Sequence, residues 1–342
     1  GLFRSAANYG AVSYDLNTYS LSHCDLVMVQ LFYGQQISVF LNDTYNYMKK
    51  TNSLIKEHRT DIMVYMWGIY EAQYRLMHNR SPEILYPHLH KPEVLENIPF
   101  FYKAIVNFYK MLTCFYLDEI EEAALILDEV GPFVQSNIGG LIFAYEYWFY
   151  CPLIRVRTAN TEAKRKETME LITLCISKLE TYAAVAPVIW NPRLVILNAE
   201  KLRLEGQRSL TIFEMYDKAC KLAETAETLQ IAAIAADRGH SFLVENDINL
   251  GRNGCLEQAN EYFLRWGALA KSNRISGSLA RRTPAPFSIS GSDSNPEELN
   301  LHNTILNHVT QILTNEGSTA DSITVFSEVC TVINVETSLT CK

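Results

Sequence analysis

The chain has 342 residues, 48% of them hydrophobic and 20% charged, with only 15 Gly and 11 Pro, enough apolar material to bury a large core. A formal charge of -8 argues against a general attraction to nucleic acid or to anionic membrane, because counterion-release binding needs a basic face. Eight cysteines without a C-x-x-C pair, several of them on apolar helical faces, point to a reducing, cytoplasmic compartment in which thiols serve as small hydrophobes.

"GLFRSAANYGAVSYDL" at the start has neither the basic n-region nor the apolar h-region of a signal peptide and no initiator Met, so the chain reads as a piece of something longer. From position 2 to 271 apolar residues recur at three- and four-residue steps, interrupted by turn residues about every 15 to 25 positions. Breaks are expected near Ser22 to Asp25, at Asn79 to Pro92, at Gly131-Pro132 and at Pro152 to Thr161. Further ones are expected at Ala186 to Pro192, Glu205 to Ser209 and Leu250 to Gly254. No useful period-2 pattern lies between them, and the reading is an all-α chain.

Two early motifs carry candidate chemistry. "KEHRTD", Lys56 to Asp61, is similar to the phospho-acceptor box of a sensor histidine kinase, but Glu57 precedes His58 and the box's Leu and Pro are missing; a solvated helix face explains it better. His88 and His90 in "HLHK" lack a Cys or carboxylate partner at a metal-binding spacing, so no metal site is expected. No G-x-x-x-x-G-K-[ST] loop occurs, and Gly139-Gly140 is not followed by a Lys, so no nucleotide or other cofactor is expected.

"GGLIFAYEYWFYCPLI", Gly139 to Ile154, is the most apolar stretch, but Glu146 and Pro152 interrupt it short of the roughly 18 to 20 residues of a membrane span. Its rings are read mainly as buried on two sides, with Tyr145 and Trp148 the candidates for lining a ligand groove. Glu146, if buried, needs a partner. No nucleophile can be paired with a base by spacing, so no catalytic residue is assigned and the chain is read as non-enzymatic.

"CLEQANEYFLRWGALAK", Cys255 to Lys271, sets Leu256, Ala259, Phe263 and Trp266 at steps of 3, 4 and 3. Ile120, Ala123, Leu127 and Val130 repeat these steps, and Ile212, Tyr216 and Ala219 repeat part of them. Small and large side chains at such offsets suit the tightly packed hairpins of tetratricopeptide-like (TPR-like) repeats. Ala259, Phe263 and Trp266 are therefore read as packing, with Glu257, Glu261 and Arg265 on the outer face. Unequal spacing between the hairpins predicts an irregular α-α superhelix over 1–271.

After Lys271, "SNRISGSLARRTPAPFSISGSDSNPEE" is rich in Ser, Pro and Gly and reads as a flexible linker over 272–298. Thr283, after Arg281-Arg282 and before Pro284, is a candidate phosphosite. Helical spacing returns over 299–342 as two short helices, with Leu301, Ile305 and Val309 in the first and Ile323, Phe326 and Ile333 in the second.

Met215 to Lys271 resembles the helical-repeat region of very large hybrid sensor histidine kinases. There the pattern runs approximately Y-D-x-A-I-x-x-A, then E-A-L-A-x-E-L-A, then A-x-x-Y-L-x-x-A-x-x-x-Y-x-x-W-G-A. Tyr216, Asp217, Ala219, Ala223, Ala233, Ala236, Ala259, Tyr262, Phe263, Trp266, Gly267 and Ala268 fall on it. Glu146, Tyr147, Phe149 and Tyr150 are similar to that family's E-Y-x-F-Y segment. Asp321, Thr324, Val325, Ile333 and Glu336 resemble its short helix before a GAF domain, although the Ser/Pro-rich linker departs from the family's structured connection.

The resemblance implies a non-catalytic scaffold between an AAA-type ATPase module, with a Ser/Thr-kinase-like domain before it, and downstream GAF and kinase domains. It implies protein–protein contacts, signal transduction by phosphorelay, and partners among other domains of the same kinase or a protein or peptide. The alternative is a ligand- or peptide-binding sensor with Tyr145 and Trp148 in an aromatic groove.

Overall fold

A computed structural model describes residues 5–6, 16–54, 60–87, 91–137, 142–249 and 251–282, and among them every regular element is helical. The expectations placed on His58, on His88 and His90, on Gly139-Gly140, on Thr283 and on 299–342 lie outside the described residues. The helices are α1 (Leu16–Phe32), α2 (Ile37–Leu54), α3 (Thr60–His78), the single-turn α4 (Pro92–Glu96), α5 (Phe100–Tyr116), α6 (Ile120–Asn137) and α7 (Ile142–Thr158). They continue as α8 (Glu162–Val185), α9 (Pro187–Leu204), α10 (Leu210–Thr225), α11 (Leu229–Glu245), α12 (Arg252–Trp266) and α13 (Leu269–Arg282).

Apart from α4, each helix packs on its neighbours in sequence, and α5 on α7, α7 on α9 and α9 on α11 also touch, the layering of an all-α superhelix. An open solenoid would stop there. This one turns back on itself: α1 packs on α3 and α7, and α13 packs on α3. The Phe32 carbonyl at the end of α1 accepts from Arg193 Nη2 at 3.3 Å and from Gln230 Nε2 at 2.6 Å, across 161 and 198 residues of chain. The inner face is consequently filled by the chain's own side chains. Trp266 lies 4.9 Å from Tyr116 between ring centroids, and the Tyr116 and Tyr150 hydroxyls bond at 2.6 Å.

The 3-4-3 positions all face this interior. Ile120, Ala123, Leu127 and Val130 are buried in α6, Ile212, Tyr216 and Ala219 in α10, and Leu256, Ala259, Phe263 and Trp266 in α12. Opposite them, Arg265 meets Glu261 and Glu224, each at 3.6 Å, on the exposed side.

Several boundaries fall away from the expected breaks. Helix α1 runs through Ser22 to Asp25, with Ser22 and His23 buried, so those polar residues do not end it. Helices α6, α7 and α9 run through Pro132, Pro152 and Pro192. A proline removes one backbone donor and crowds the preceding turn, costing roughly 3 kcal/mol, and burial of the surrounding faces of α7 and α9 outweighs that.

Many actual ends are Schellman motifs, in which a left-handed residue lets the next N–H reach back to a carbonyl five positions earlier. The reach is 3.1 Å from Gln35 to Gln30, 2.8 Å from Glu119 to Cys114 and 3.1 Å from Gln207 to Leu202. It is 2.9 Å from Thr228 to Ala223, 2.8 Å from Ile248 to Leu243 and 2.9 Å from Ala268 to Phe263. The left-handed residue is Gly at 34, 206 and 267, but Asp118, Glu227 and Asp247 elsewhere, each with φ between 56° and 59°. Those three turns carry no glycine signal, and none was expected from the sequence.

The helical unit also passes the Lys271 boundary, since α13 occupies the first part of the stretch read as linker. Its Ser- and Arg-rich composition is misleading because tertiary bonds hold it. Ile275 and Ser272 are buried, Lys271 reaches Asp118 at 2.7 Å, and Arg274 donates to the Leu117 carbonyl and to Asn79 Oδ1. One compact unit spans residues 1–283.

Candidate functional site

Two buried carboxylates organise the polar chemistry. Glu146, in the aromatic helix α7, is 2% exposed and receives Arg193 Nη2 at 2.8 Å and Nε at 3.1 Å. Arg193 itself is sandwiched near Trp190 and Phe149, at 5.1 and 5.7 Å from their ring centroids, and also donates to the Ile189 carbonyl. Burial pushes the Glu146 carboxyl above its ordinary range, against the pull of this one guanidinium. The partner stands 47 residues away in sequence, on α9, which is why spacing could not name it.

Glu200, one turn before the end of α9, has the opposite balance. Arg238 of α11 donates Nε and Nη2 to it at 2.6 and 3.0 Å, the Tyr216 hydroxyl donates at 2.8 Å, and Arg203 Nη1 donates at 3.2 Å. Burial acts to raise the carboxyl, but Arg238 and Arg203 together outweigh it and hold Glu200 down at about 2. The Tyr216 hydroxyl is pushed far above its ordinary value, by burial first and then by the Glu200 charge. An i,i+3 Glu–Arg pair within "NAEKLRL" is the one local signal of this cluster.

Above Glu200 opens a pocket of about 420 Å³, within the range of small-ligand sites, walled by Arg157, Arg165, Arg203, Arg238, Ser241 and Glu245. The end of α7 supplies Arg157 and the first turn of α8 supplies Arg165, while Arg203 ends α9 and Arg238, Ser241 and Glu245 line one face of α11. Arg157 donates to Asp118 at 3.0 Å, and Asp118 also takes Lys271; burial raises that carboxyl, but the two cations bring it below its usual range. Arg203 divides its donors between Glu200, Tyr216 and, through Nη2 at 2.6 Å, Glu245, whose side chain is 60% exposed. Arg238 uses Nε and Nη2 on Glu200, so its Nη1 stands outside that pair. Arg165 is exposed on the rim. No part of this pocket was singled out from the sequence, because its arginines come from four helices.

Tyr145 and Trp148 are half-buried. Tyr145 packs edge-on to Tyr182 at 4.9 Å with Trp190 at 6.5 Å, and Trp148 packs on Tyr147 at 5.4 Å with the Lys178 ammonium 5.9 Å away. These contacts join α7 to α8 and α9, and neither ring reaches the arginine pocket. Five cysteines, Cys114, Cys151, Cys175, Cys220 and Cys255, are free thiols, and burial raises the pKa of each. Among the described residues no group of three or more His, Cys, Asp or Glu is placed to hold a metal, and no helix is long and apolar enough to cross a membrane.

The fold defines an all-α, helical-repeat-like class. Comparison with known protein families, curated proteins and solved structures yields no match to this chain.

Proposed function

We propose that the chain is a non-catalytic TPR-like scaffold of a hybrid sensor histidine kinase, joining an ATPase-like module to downstream sensor and kinase domains through protein–protein contacts in the cytoplasm. The sequence resemblance over Met215 to Lys271 motivates the kinase. The observation that carries the scaffold reading is the closure of the helical array. Lys271 and Arg274 tie α13 to the α5–α6 turn, and Arg193 and Gln230 tie α9 and α11 to the end of α1. A packed body closed in this way moves as one piece, which is what a connector between modules requires.

The inner face is filled by Tyr116, Tyr150, Phe32 and Trp266, so contacts with other domains fall on the outer surface. Tyr145 and Trp148, engaged between helices, do not favour the aromatic-groove reading. The test compares autophosphorylation of the intact kinase with that of a variant lacking residues 1–283 and of a Lys271→Ala, Arg274→Ala variant. Both changes are expected to alter the response to signal. An unaltered response in the deletion variant overturns the scaffold role.

A further inference from the structure

The arginine pocket is an anomaly on a chain of net charge -8: four guanidinium groups share its wall with a single carboxylate, Glu245. Arginine rather than lysine at every basic position matters, because the planar fork presents paired N–H donors that match phosphate and carboxylate oxygens. Much of that capacity is held in position without being consumed. Glu200 lies underneath and fixes the Arg203 and Arg238 planes, leaving Arg238 Nη1 outside the pair. Asp118 orients Arg157 through one nitrogen, Nη2. Arg165 stands on the rim in the first turn of α8, and no ion pair engages it among the described residues. The Ser241 hydroxyl donates to the Asp237 carbonyl, so it contributes wall rather than a donor.

Glu245 indicates what kind of anion belongs there. Its carboxylate, on the last turn of α11, reaches into the arginine cluster from an exposed position and takes Arg203 Nη2 at 2.6 Å. A second monocarboxylate arriving from outside would only replace like with like. A phosphate monoester brings a charge of about -1.5 to -2 and three acceptor oxygens, enough to displace one exposed carboxylate and engage further guanidinium groups.

We propose that this pocket binds the phosphoryl group of a phosphate monoester, with Arg157, Arg165, Arg203 and Arg238 as donors and Glu245 as the displaceable internal competitor. The site stands on this geometry alone and holds whether or not the chain belongs to a kinase. Two sources present the same chemistry: a phosphorylated side chain of a protein and a free phosphorylated metabolite.

The experiment titrates the whole chain calorimetrically at fixed ionic strength with three probes: a capped Gly-phosphoserine-Gly peptide, the same peptide with Glu in place of phosphoserine, and inorganic phosphate. Both phosphoryl probes are expected to bind at least about tenfold tighter than the Glu peptide. With the phosphopeptide ahead of the Glu peptide, tighter binding of the phosphopeptide than of inorganic phosphate assigns the protein source, and equal or weaker binding assigns the free phosphoester.

Arg165→Glu, exposed and suited by charge to a helix N-terminus, leaves the fold intact and is expected to weaken phosphoserine binding about tenfold or more. Glu245→Gln is expected to tighten it severalfold by removing the competitor. Equal affinity for the phosphoserine and Glu peptides, an Arg165→Glu variant that binds like wild type, or a Glu245→Gln variant that binds more weakly overturns the proposal.

Discussion

Replacing Glu200 by glutamine removes the one negative charge beneath two buried guanidinium groups. The carboxylate receives five side-chain hydrogen bonds from Arg238, Arg203 and Tyr216, and glutamine keeps only one acceptor oxygen. Arg203 retains Glu245, but Arg238, 7% exposed, is left without its counter-ion. Removing one partner of a buried ion pair costs about 3 to 5 kcal/mol. Linkage gives a similar size: a carboxyl held down at about 2 rather than the ordinary 4.5 corresponds to roughly 3 kcal/mol at neutral pH.

The sign follows from the depressed pKa. The contribution is fully present above the unfolded value near 4.5 and is lost as pH falls towards 2, with about 2 kcal/mol gone by pH 3. Guanidinium melts of wild type and Glu200→Gln from pH 7 to pH 3 measure this directly, and the gap between them should shrink on acidification. A loss under about 1 kcal/mol at pH 7, or a gap that does not narrow, refutes the reasoning. Glu146→Gln is the internal contrast. Its carboxyl is raised, so the native state takes up its proton first and wild type gains stability relative to the variant as pH falls, the opposite trend to the Glu200 pair.

Trp266→Ala removes a ring with no exposed surface from the centre of the closed array and should cost about 3 to 5 kcal/mol in denaturant melts; under about 1 kcal/mol would show that the inner face repacks freely. Asp247→Gly and Glu227→Gly place glycine at exposed left-handed positions and should each raise stability by about 1 kcal/mol, visible as a higher midpoint with unchanged slope. Gly34→Ala should lose roughly 2 to 3 kcal/mol, because φ is +72° and a Cβ there would stand 2.8 Å from the Leu229 backbone nitrogen. A neutral Gly34→Ala would mean that the α1–α11 approach is looser than described.

The sequence by itself determined the all-α class and the buried stripe of each hairpin, because a 3.6-residue period is a local property and the 3-4-3 positions declare which face is apolar. It did not reveal where many helices stop. Asp118, Glu227 and Asp247 adopt a glycine-like conformation with no glycine to announce it, and Pro132, Pro152 and Pro192 stay inside helices that packing supports. Nor did it reveal that α13 is held, since Lys271 finds Asp118 across 153 residues.

The polar sites were the least legible. Glu146 needed Arg193, and Glu200 needed Arg238, from helices distant in sequence. The balance of burial against guanidinium charge then set their titration in opposite directions, because one guanidinium does not offset the loss of water around a carboxylate and two do. Arg157, Arg165, Arg203 and Arg238 look in sequence like ordinary surface cations of four separate helices. Only the tertiary structure, which brings those four helices together over one buried carboxylate, makes them a pocket.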